Sequence, residues 1–425
     1  MVWAEVLIEP VRLARERIFD SAPIQGKGST SSAATTGRVL SVGCDDVPAM
    51  AGAQRLKLLF LVTEDWYFVS HRLPLAVAAR EAGFDVAVAT RAGQHADTIR
   101  QAGIRLIPFE LSRRAGNPLR EFLALVRLYR HERPDIVHHV ALKPVLYGAL
   151  AARLAAVPAQ VNAVAGLGWL FTSRDRTARW VRPVIRWVLA RLLSAPRCRV
   201  IVQNPDDAAL LGQAGVPESR LRLIRGAGVD TTMFSPVPEP PKPVCVVLAA
   251  RMLWDKGVGE FVEAARRLKQ AGVDARFALV GAADPGNPAS VPEDILRVWQ
   301  KEAVVEWWGQ RDDMPAVFHA AHVVCLPSFY GEGLPKVLLE AAACGRPIIT
   351  TDAPGCREIV RDGENGFLVP VRESIALASV LQKLIGDPDL RSRMGRRGRE
   401  IVEAEFALDK VVQQTLALYK ELLDR

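Results

Sequence analysis

The chain has 425 residues, 49% hydrophobic and 24% charged, with a net charge of +8. With a mean hydropathy of +0.10, this is the composition of a globular chain long enough for two domains. It excludes a membrane-embedded one, since no run of about 18 uncharged apolar residues appears. The six cysteines (44, 198, 245, 325, 344 and 356) show no close metal-type pairing. Several sit in apolar runs, so they read as reduced core thiols of a cytosolic protein. The charge is uneven: residues 56–200 hold 22 Lys and Arg against 10 Asp and Glu, a balance of +12, which leaves −4 elsewhere. A basic N-terminal half points to an anionic partner: lipid phosphate, a membrane surface or nucleic acid.

Residues 1–54 read as a separate, disordered extension. Residues 26–37 are small and polar, which favours a flexible segment, and residues 4–20 suit a short helix. The start is acidic and broken by Pro10, unlike a secretory signal. Residues 1–49 are read as an over-long start, with Met50 or a nearby codon as the true beginning.

From there strands and helices alternate. Strands are expected at 57–62, 84–90, 104–109, 136–140 and 159–164, and helices at 74–82, 118–132 and 144–156. That alternation predicts a parallel sheet covered on both faces, with ligands beyond the carboxyl ends of the strands. Those ends carry Glu64, Asp65, Ser70, His71 and Arg72, then Ser112, Arg113 and Arg114, then His138, His139 and Lys143. Adjacent His138 and His139 point to opposite faces of a strand, so at most one faces the cleft. A structural histidine is the equal alternative. Gly166-Leu167-Gly168 is a glycine signal that close packing explains as well as a ligand does.

Residues 174–199 hold eight Arg and one acidic residue, Asp175. Arg179, Arg182 and Arg186 share a helical face, with Trp180 and Trp187 interleaved. Arg and Trp around an apolar stripe suit a membrane interface. A core helix with a solvated basic edge is the alternative, and nucleic acid a weaker third, since no recognisable module accompanies the charge. Residues 199–203 are expected to be the last strand of a first domain spanning 56–235, and the proline-rich stretch 235–243 a stiff linker. A second domain, 236–408, repeats the pattern with strands at 244–250, 277–280, 304–307, 322–326, 347–350 and 366–369. Residues 409–425 form a last helix, expected to cross back to the first domain.

The most informative stretch is 324–345. Val323 to Leu326 read as a strand, Gly331-Glu332-Gly333 as a loop, and Pro335 as the first position of an apolar helix closed by Gly345. Backbone N–H groups at such a helix start attract phosphate. Glu332 and Glu340 stand out in this stretch. Glu340 lies past the first helical turn, on an apolar helix, and needs partners. A ribose diol would supply two donors; the plain alternative is that Glu332 caps the helix and Glu340 pairs with an Arg. Arg251 and Lys256 flank the loop after the second domain's first strand, where two cations beside helix-start amides make a diphosphate site. Asp387-Pro388-Asp389 reads as a helix start and surface turn. Asp312-Asp313 is ambiguous, with a helix N-terminus explaining Asp313.

Glu332 and Glu340, with seven residues between them, resemble the Glu-x7-Glu signature of retaining glycosyltransferases of family 4. The resemblance covers about residues 56–425. It is carried by Ser112-Arg113 with Asn117-Pro118, Gly166-Leu167-Gly168, the run from Arg251 to Gly257, Leu326-Pro327-Ser328, Gly331 to Pro335, and Gly355-Cys356-Arg357-Glu358. Within that family the chain is most similar to bacterial enzymes that extend undecaprenyl-diphosphate-linked sugars. The resemblance implies an α/β fold of two Rossmann-like domains facing across a cleft (GT-B). It implies a nucleotide sugar, expected to be UDP-linked, as co-substrate, and neither metal nor other cofactor. It implies a lipid-linked sugar acceptor, a cytoplasmic location on an anionic membrane surface, and no nucleic acid. Glu340 would hold the ribose, Glu332 would face the transferred sugar, and Gly309, Gly331, Gly333 and Leu334 would line the donor. Arg251, Lys256 and one of His138 and His139 would serve the chemistry, and Arg72, Arg113 and Lys143 the acceptor. Arg179, Trp180, Arg182, Arg186 and Trp187 would meet the membrane. Many members carry His-x-His at the end of the fourth strand; here Val140 occupies the second place. A nucleotide-sugar epimerase of similar fold and a non-catalytic nucleotide-sugar-binding partner are the rival readings.

Overall fold

A computed structural model describes residues 55–112, 117–164, 166–167, 176–329 and 331–424, without the side chains of 176–182 and 184. The expectations for residues 1–54, Arg113, Arg114 and Gly168, and for the side chains of Arg179, Trp180 and Arg182, lie outside the described residues. The first sheet has seven parallel strands: β1 Lys57–Glu64, β2 Asp85–Arg91, β3 Arg105–Pro108, β4 Ile136–Val140, β5 Ala159–Val164, β6 Cys198–Val202 and β7 Leu221–Leu223. Their order is β3-β2-β1-β4-β5-β6-β7. The second has six: β8 Val244–Ala249, β9 Ala275–Val280, β10 Glu306–Trp307, β11 Val323–Leu326, β12 Ile348–Thr351 and β13 Gly366–Val369, in the order β10-β9-β8-β11-β12-β13.

The inner strands are buried on both faces. That is why β8 reads as a continuous apolar run rather than an alternating one, while β4, β5 and β6 carry His138, His139, Gln160, Asn162 and Arg199 as buried polar residues. β7 corrects the expectation that β6 ends the first domain. It is a three-residue edge strand, half exposed, too short to leave a hydrophobic run in the sequence. Each sheet reverses direction beside its first strand: β1 lies between β2 and β4, and β8 between β9 and β11. Crevices at such switch points, beyond the carboxyl ends, are where open α/β sheets bind ligands.

The proline-rich stretch is strapped to the second domain. Arg391 forks onto Glu239 at 2.9 and 2.8 Å, and Arg346 donates to the Pro238 carbonyl at 3.3 Å. The last helix, Leu408–Leu423, packs on the first sheet. Val411, Leu418, Tyr419 and Leu422 join the core formed by β1, β2, β4 and β5. Burial of each such side chain is worth about 2 kcal/mol. Arg199, buried on β6, pairs with Glu421 at 2.6 Å. The five described cysteines are buried and free, and burial pushes the Cys344 and Cys356 thiols up to about 12. No helix among the described residues is long and apolar enough to cross a membrane.

Candidate active site

At the second switch point, β8 leads into a short 3-10 turn, Trp254–Lys256, and β11 into the loop that ends at helix Lys336–Ala343. The two loops are tied together. The Asp255 carbonyl accepts from the Phe329 N–H at 3.1 Å. Ser328 Oγ lies 3.1 Å from that carbonyl and 2.9 Å from Glu332 Oε1, and donates its one proton to either. This arrangement delivers Lys256 Nζ onto Glu332 Oε1 in a partly buried ion pair. Glu332 therefore does not cap the helix; Pro335 holds the N-cap position, so the helix starts at Lys336, one residue later than the expected start at Pro335. Glu340 is 7% exposed and pairs with Lys336, one turn earlier, at 3.1 Å. Burial raises its carboxyl above the usual range, and Lys336 opposes that shift. The partner is thus a lysine in the same helix rather than an arginine elsewhere. Arg251 is half exposed and pairs with Asp284 at 2.7 Å. Gly309 follows β10 with a left-handed backbone, φ 67°, and its carbonyl accepts from Gly281 at 2.7 Å. The Leu334 side chain is buried in the core against Gly226, so only its backbone is available to a ligand.

The first domain grips this loop. A Cβ on Gly166 would lie 2.8 Å from the Gly331 carbonyl oxygen, and on the second domain's own side one on Gly355 would collide with the carbonyls of Glu332 and Gly333. Both glycines also have positive φ, so close packing and backbone geometry alike require them. Asn204, fully buried after β6, donates from Nδ2 to the Gly333 carbonyl at 3.0 Å. The same amide lies 3.0 Å from Asp207 Oδ2, and the Leu167 N–H donates to Asp207 Oδ1 at 3.2 Å. Burial pushes the Asp207 carboxyl up to about 6. Lys336 Nζ also donates to the Ser70 carbonyl at 2.9 Å, a second tie between the domains.

In the first domain both histidines are fully buried. His139 is spent on the core: Nδ1 meets Asn162 Oδ1 at 2.7 Å and Nε2 meets the Tyr129 hydroxyl at 3.0 Å. Burial lowers its pKa to about 4, against the Asn162 bond. With both nitrogens engaged, His139 is a structural residue and leaves the catalytic set. His138 stacks on Phe60, 5.0 Å between ring centres, and Nδ1 lies 2.6 Å from the Tyr419 hydroxyl of the last helix. Its Nε2 has no hydrogen-bond partner among the described residues. Arg72 is buried, with Nε and Nη2 unpartnered among the described residues. Lys143 is held by Glu121 at 2.9 Å and donates to the Ser112 carbonyl, which ties it to its own domain. The helix Arg176–Leu193 buries Ile185, Leu189, Leu192 and Leu193, while Trp187 is 64% exposed and Arg186 donates to the Gln213 carbonyl at 2.8 Å. Asp313 and Asp387 cap helices, accepting from Ala316 N at 3.3 Å and Leu390 N at 2.8 Å.

Two family models match this chain: "Glycosyl transferase 4-like" over residues 57–194 and "Glycosyl transferases group 1" over residues 229–401. Together they take in β1 to β5 of the first sheet, all of the second, and both switch points. The chain is a glycosyltransferase of this two-domain family. Among its relatives is the N,N'-diacetylbacillosaminyl-diphospho-undecaprenol alpha-1,3-N-acetylgalactosaminyltransferase of Campylobacter jejuni, 28% identical over 83% of this chain and 95% of that protein. Another is the UDP-Gal:alpha-D-GlcNAc-diphosphoundecaprenol alpha-1,3-galactosyltransferase of Escherichia coli, 25% identical over 72% of this chain and 80% of that one. Among solved structures, Anabaena Alr3699/HepE in complex with UDP and glucose superposes with a TM-score of 0.70 at 21% identity. That match covers 86% of this chain and all of HepE, and shows that the transferase has the GT-B fold.

Sequence reasoning missed the partners that hold the candidate residues. Lys336, Asp284 and Asn204 carry no motif of their own, and Ser328 figures only as part of Leu326-Pro327-Ser328, with no role assigned to it. Only the Lys336–Glu340 spacing, one helical turn, was available as a signal.

Proposed function

We propose that the chain is a metal-independent, retaining transferase that moves a hexose or N-acetylhexosamine from a UDP-sugar to a lipid-linked sugar acceptor in glycan assembly. The observation that carries the donor half is the Lys256–Glu332 pair. It sits where the ends of β8 and β11 meet, beside a helix start, and it can open to place a cation on a diphosphate and a carboxylate beside a sugar. Lys256 and Arg251 stabilise negative charge as the nucleotide diphosphate departs, which is the work a metal would otherwise do. The acceptor hydroxyl oxygen attacks the anomeric carbon on the face the diphosphate leaves. As that C–O bond breaks, the acceptor's proton passes to a diphosphate oxygen, and UDP is released. Glu340 holds the ribose once Lys336 yields. The acceptor class is supported by the relatives that act on undecaprenyl-diphosphate-linked sugars.

We also propose that helix Arg176–Leu193 rests on an anionic membrane at the cytoplasmic face, with exposed Trp187 at the interface. Each basic residue near such a surface is worth about 1 kcal/mol. Changing Arg179, Arg182 and Arg186 to Glu should release the protein from anionic liposomes with UDP binding unchanged; unaltered liposome binding would favour a plain core helix. The function itself is tested by incubating the protein with bacterial membranes and a panel of nucleotide sugars, with and without EDTA, and identifying the lipid product by mass. A lipid gaining one sugar from a UDP donor in the presence of EDTA is expected. No lipid product with any donor sinks the reading, and activity that EDTA abolishes and Mg²⁺ or Mn²⁺ restores sinks its metal-free part.

A further inference from the structure

Arg72 caps the short helix Asp65–His71 that follows β1, and His138 lies on β4; β1 and β4 are neighbouring strands at the first sheet's switch point, where Phe60 and His138 pair in register. Arg72 is 2% exposed, and Nε and Nη2 have no hydrogen-bond partner. Among the described residues no carboxylate lies within ion-pair distance of it. A guanidinium buried in this way costs several kcal/mol unless an anion compensates it. His138 adds a second donor. The Tyr419 hydroxyl is fully buried, and His138 Nδ1 is its one hydrogen-bond partner among the described residues, at 2.6 Å. The hydroxyl proton is satisfied only if it points at Nδ1, which puts the ring proton of the neutral histidine on Nε2. That N–H is the buried atom left without a partner.

The cluster also borders the donor loop. Ser70, two residues before Arg72, holds Lys336 at the start of helix Lys336–Ala343. Burial raises the pKa of the Tyr67 phenol, with Arg72 opposing that shift and Glu332 adding to it, and its ring stacks on His71 at 4.2 Å. Lys336 is a second cation nearby and is engaged by Glu340.

We propose that Arg72 and His138 form a buried anion-binding site that takes a phosphoryl group of a substrate diphosphate. A sugar hydroxyl would satisfy the imidazole but leave the guanidinium uncompensated; phosphoryl oxygens satisfy both, and suit the fork of an arginine. This rests on the transferase reading for the source of the diphosphate, either the nucleotide sugar or the lipid-linked acceptor.

The test uses binding and melting of the full chain, without turnover. A structural arginine stabilises the free protein, whereas one that awaits an anion does not. Arg72→Met is therefore expected to melt, free of ligand, at or above the wild-type temperature. Inorganic pyrophosphate should raise the wild-type Tm more than that of Arg72→Met. Calorimetry with UDP and with farnesyl diphosphate separates the sources. One of the two should bind Arg72→Met about tenfold more weakly or worse, and Arg72→Lys should recover part of the loss. Weaker UDP places the donor diphosphate on Arg72; weaker farnesyl diphosphate places the acceptor's there. The site is overturned if both ligands bind Arg72→Met as they bind wild type, if neither binds wild type, or if ligand-free Arg72→Met melts well below wild type. A protein that shows this Arg72-dependent binding but transfers no sugar overturns the transferase reading and leaves the site standing.

Discussion

At the second sheet's switch point three cations have carboxylate partners: Lys256 with Glu332, Arg251 with Asp284 and Lys336 with Glu340. At the first sheet's, among the described residues, Arg72 has none and His138 keeps one nitrogen unpartnered. The two crevices share a topology and differ in how they hold charge. Where the protein supplies both signs, a ligand must displace a carboxylate, and selectivity comes from the exchange. Where a buried cation has no carboxylate of its own, as at Arg72, the ligand brings the missing charge and has no paired carboxylate to displace from it.

The largest expected effect comes from breaking the paired crevice at its centre. Lys256→Ala should lower kcat by about 10²- to 10³-fold, the cost of removing one donor to developing charge, and weaken UDP binding much less. Donor steady-state kinetics and UDP calorimetry measure the split, with circular dichroism to confirm folding. A folded Lys256→Ala with wild-type kcat would make the lysine merely a partner for Glu332.

Asp207 tests the joint between the crevices. Burial holds its carboxyl at about 6 in the folded protein, whereas it titrates near 3.9 in an unfolded chain. Between about pH 4 and pH 6 the folded state keeps a proton that the unfolded state has lost, so the contribution of Asp207 to stability falls as pH rises through that window. Asp207→Asn removes this dependence. The stability of wild type relative to Asp207→Asn should therefore drop by on the order of 3 kcal/mol from pH 4 to pH 6.5, followed by denaturant melts. Parallel pH profiles would show that Asp207 is not strained by its burial.

Glu340→Ala should weaken UDP binding by about ten- to a hundredfold, with kcat at saturating donor little changed, because a ribose does not react. It also strips Lys336 of its carboxylate and so makes the second crevice more like the first. If kcat falls and UDP affinity holds, Glu340 acts on the reacting centre instead.

The smallest effect sharpens how one half positions the other. Asn204 caps helix Pro205–Gln213 by accepting from Asp207 N and reaches Gly333 across the cleft. Asn204→Ser keeps a capping oxygen and removes the amide donor. A loss of about 1 kcal/mol, roughly fivefold in kcat/KM for the donor, is expected with little change in Tm. An equal fall in stability would mean that the cap mattered and the cross-domain bond did not.

Much of the site was legible in the sequence because its parts are local. The strand–glycine loop–helix order around Glu332 and Glu340 follows from residues within one stretch, and Lys256 follows β8 as expected. The histidines show the limit. Nothing in His138-His139-Val140 says which ring is spent: the answer depends on Tyr129 and Asn162 on one side and on Tyr419, in the last helix, on the other. β7 escaped for a different reason, as three half-exposed residues at a sheet edge leave too weak a pattern to read.

By itself the sequence determined the two parallel sheets and the candidate residues at their strand ends, since hydrophobic period, proline and glycine placement act over a few residues and do not depend on distant contacts. Only the tertiary structure decided what each charge rests on. Glu332 meets Lys256 across 76 residues, Asn204 meets Gly333 across 129, and His138 meets Tyr419 across 281. These partners are set by strand order and by the return of the last helix. Whether a buried cation is compensated or waits for a ligand is therefore a property of the assembled fold, because the cost of a charge depends on everything packed around it.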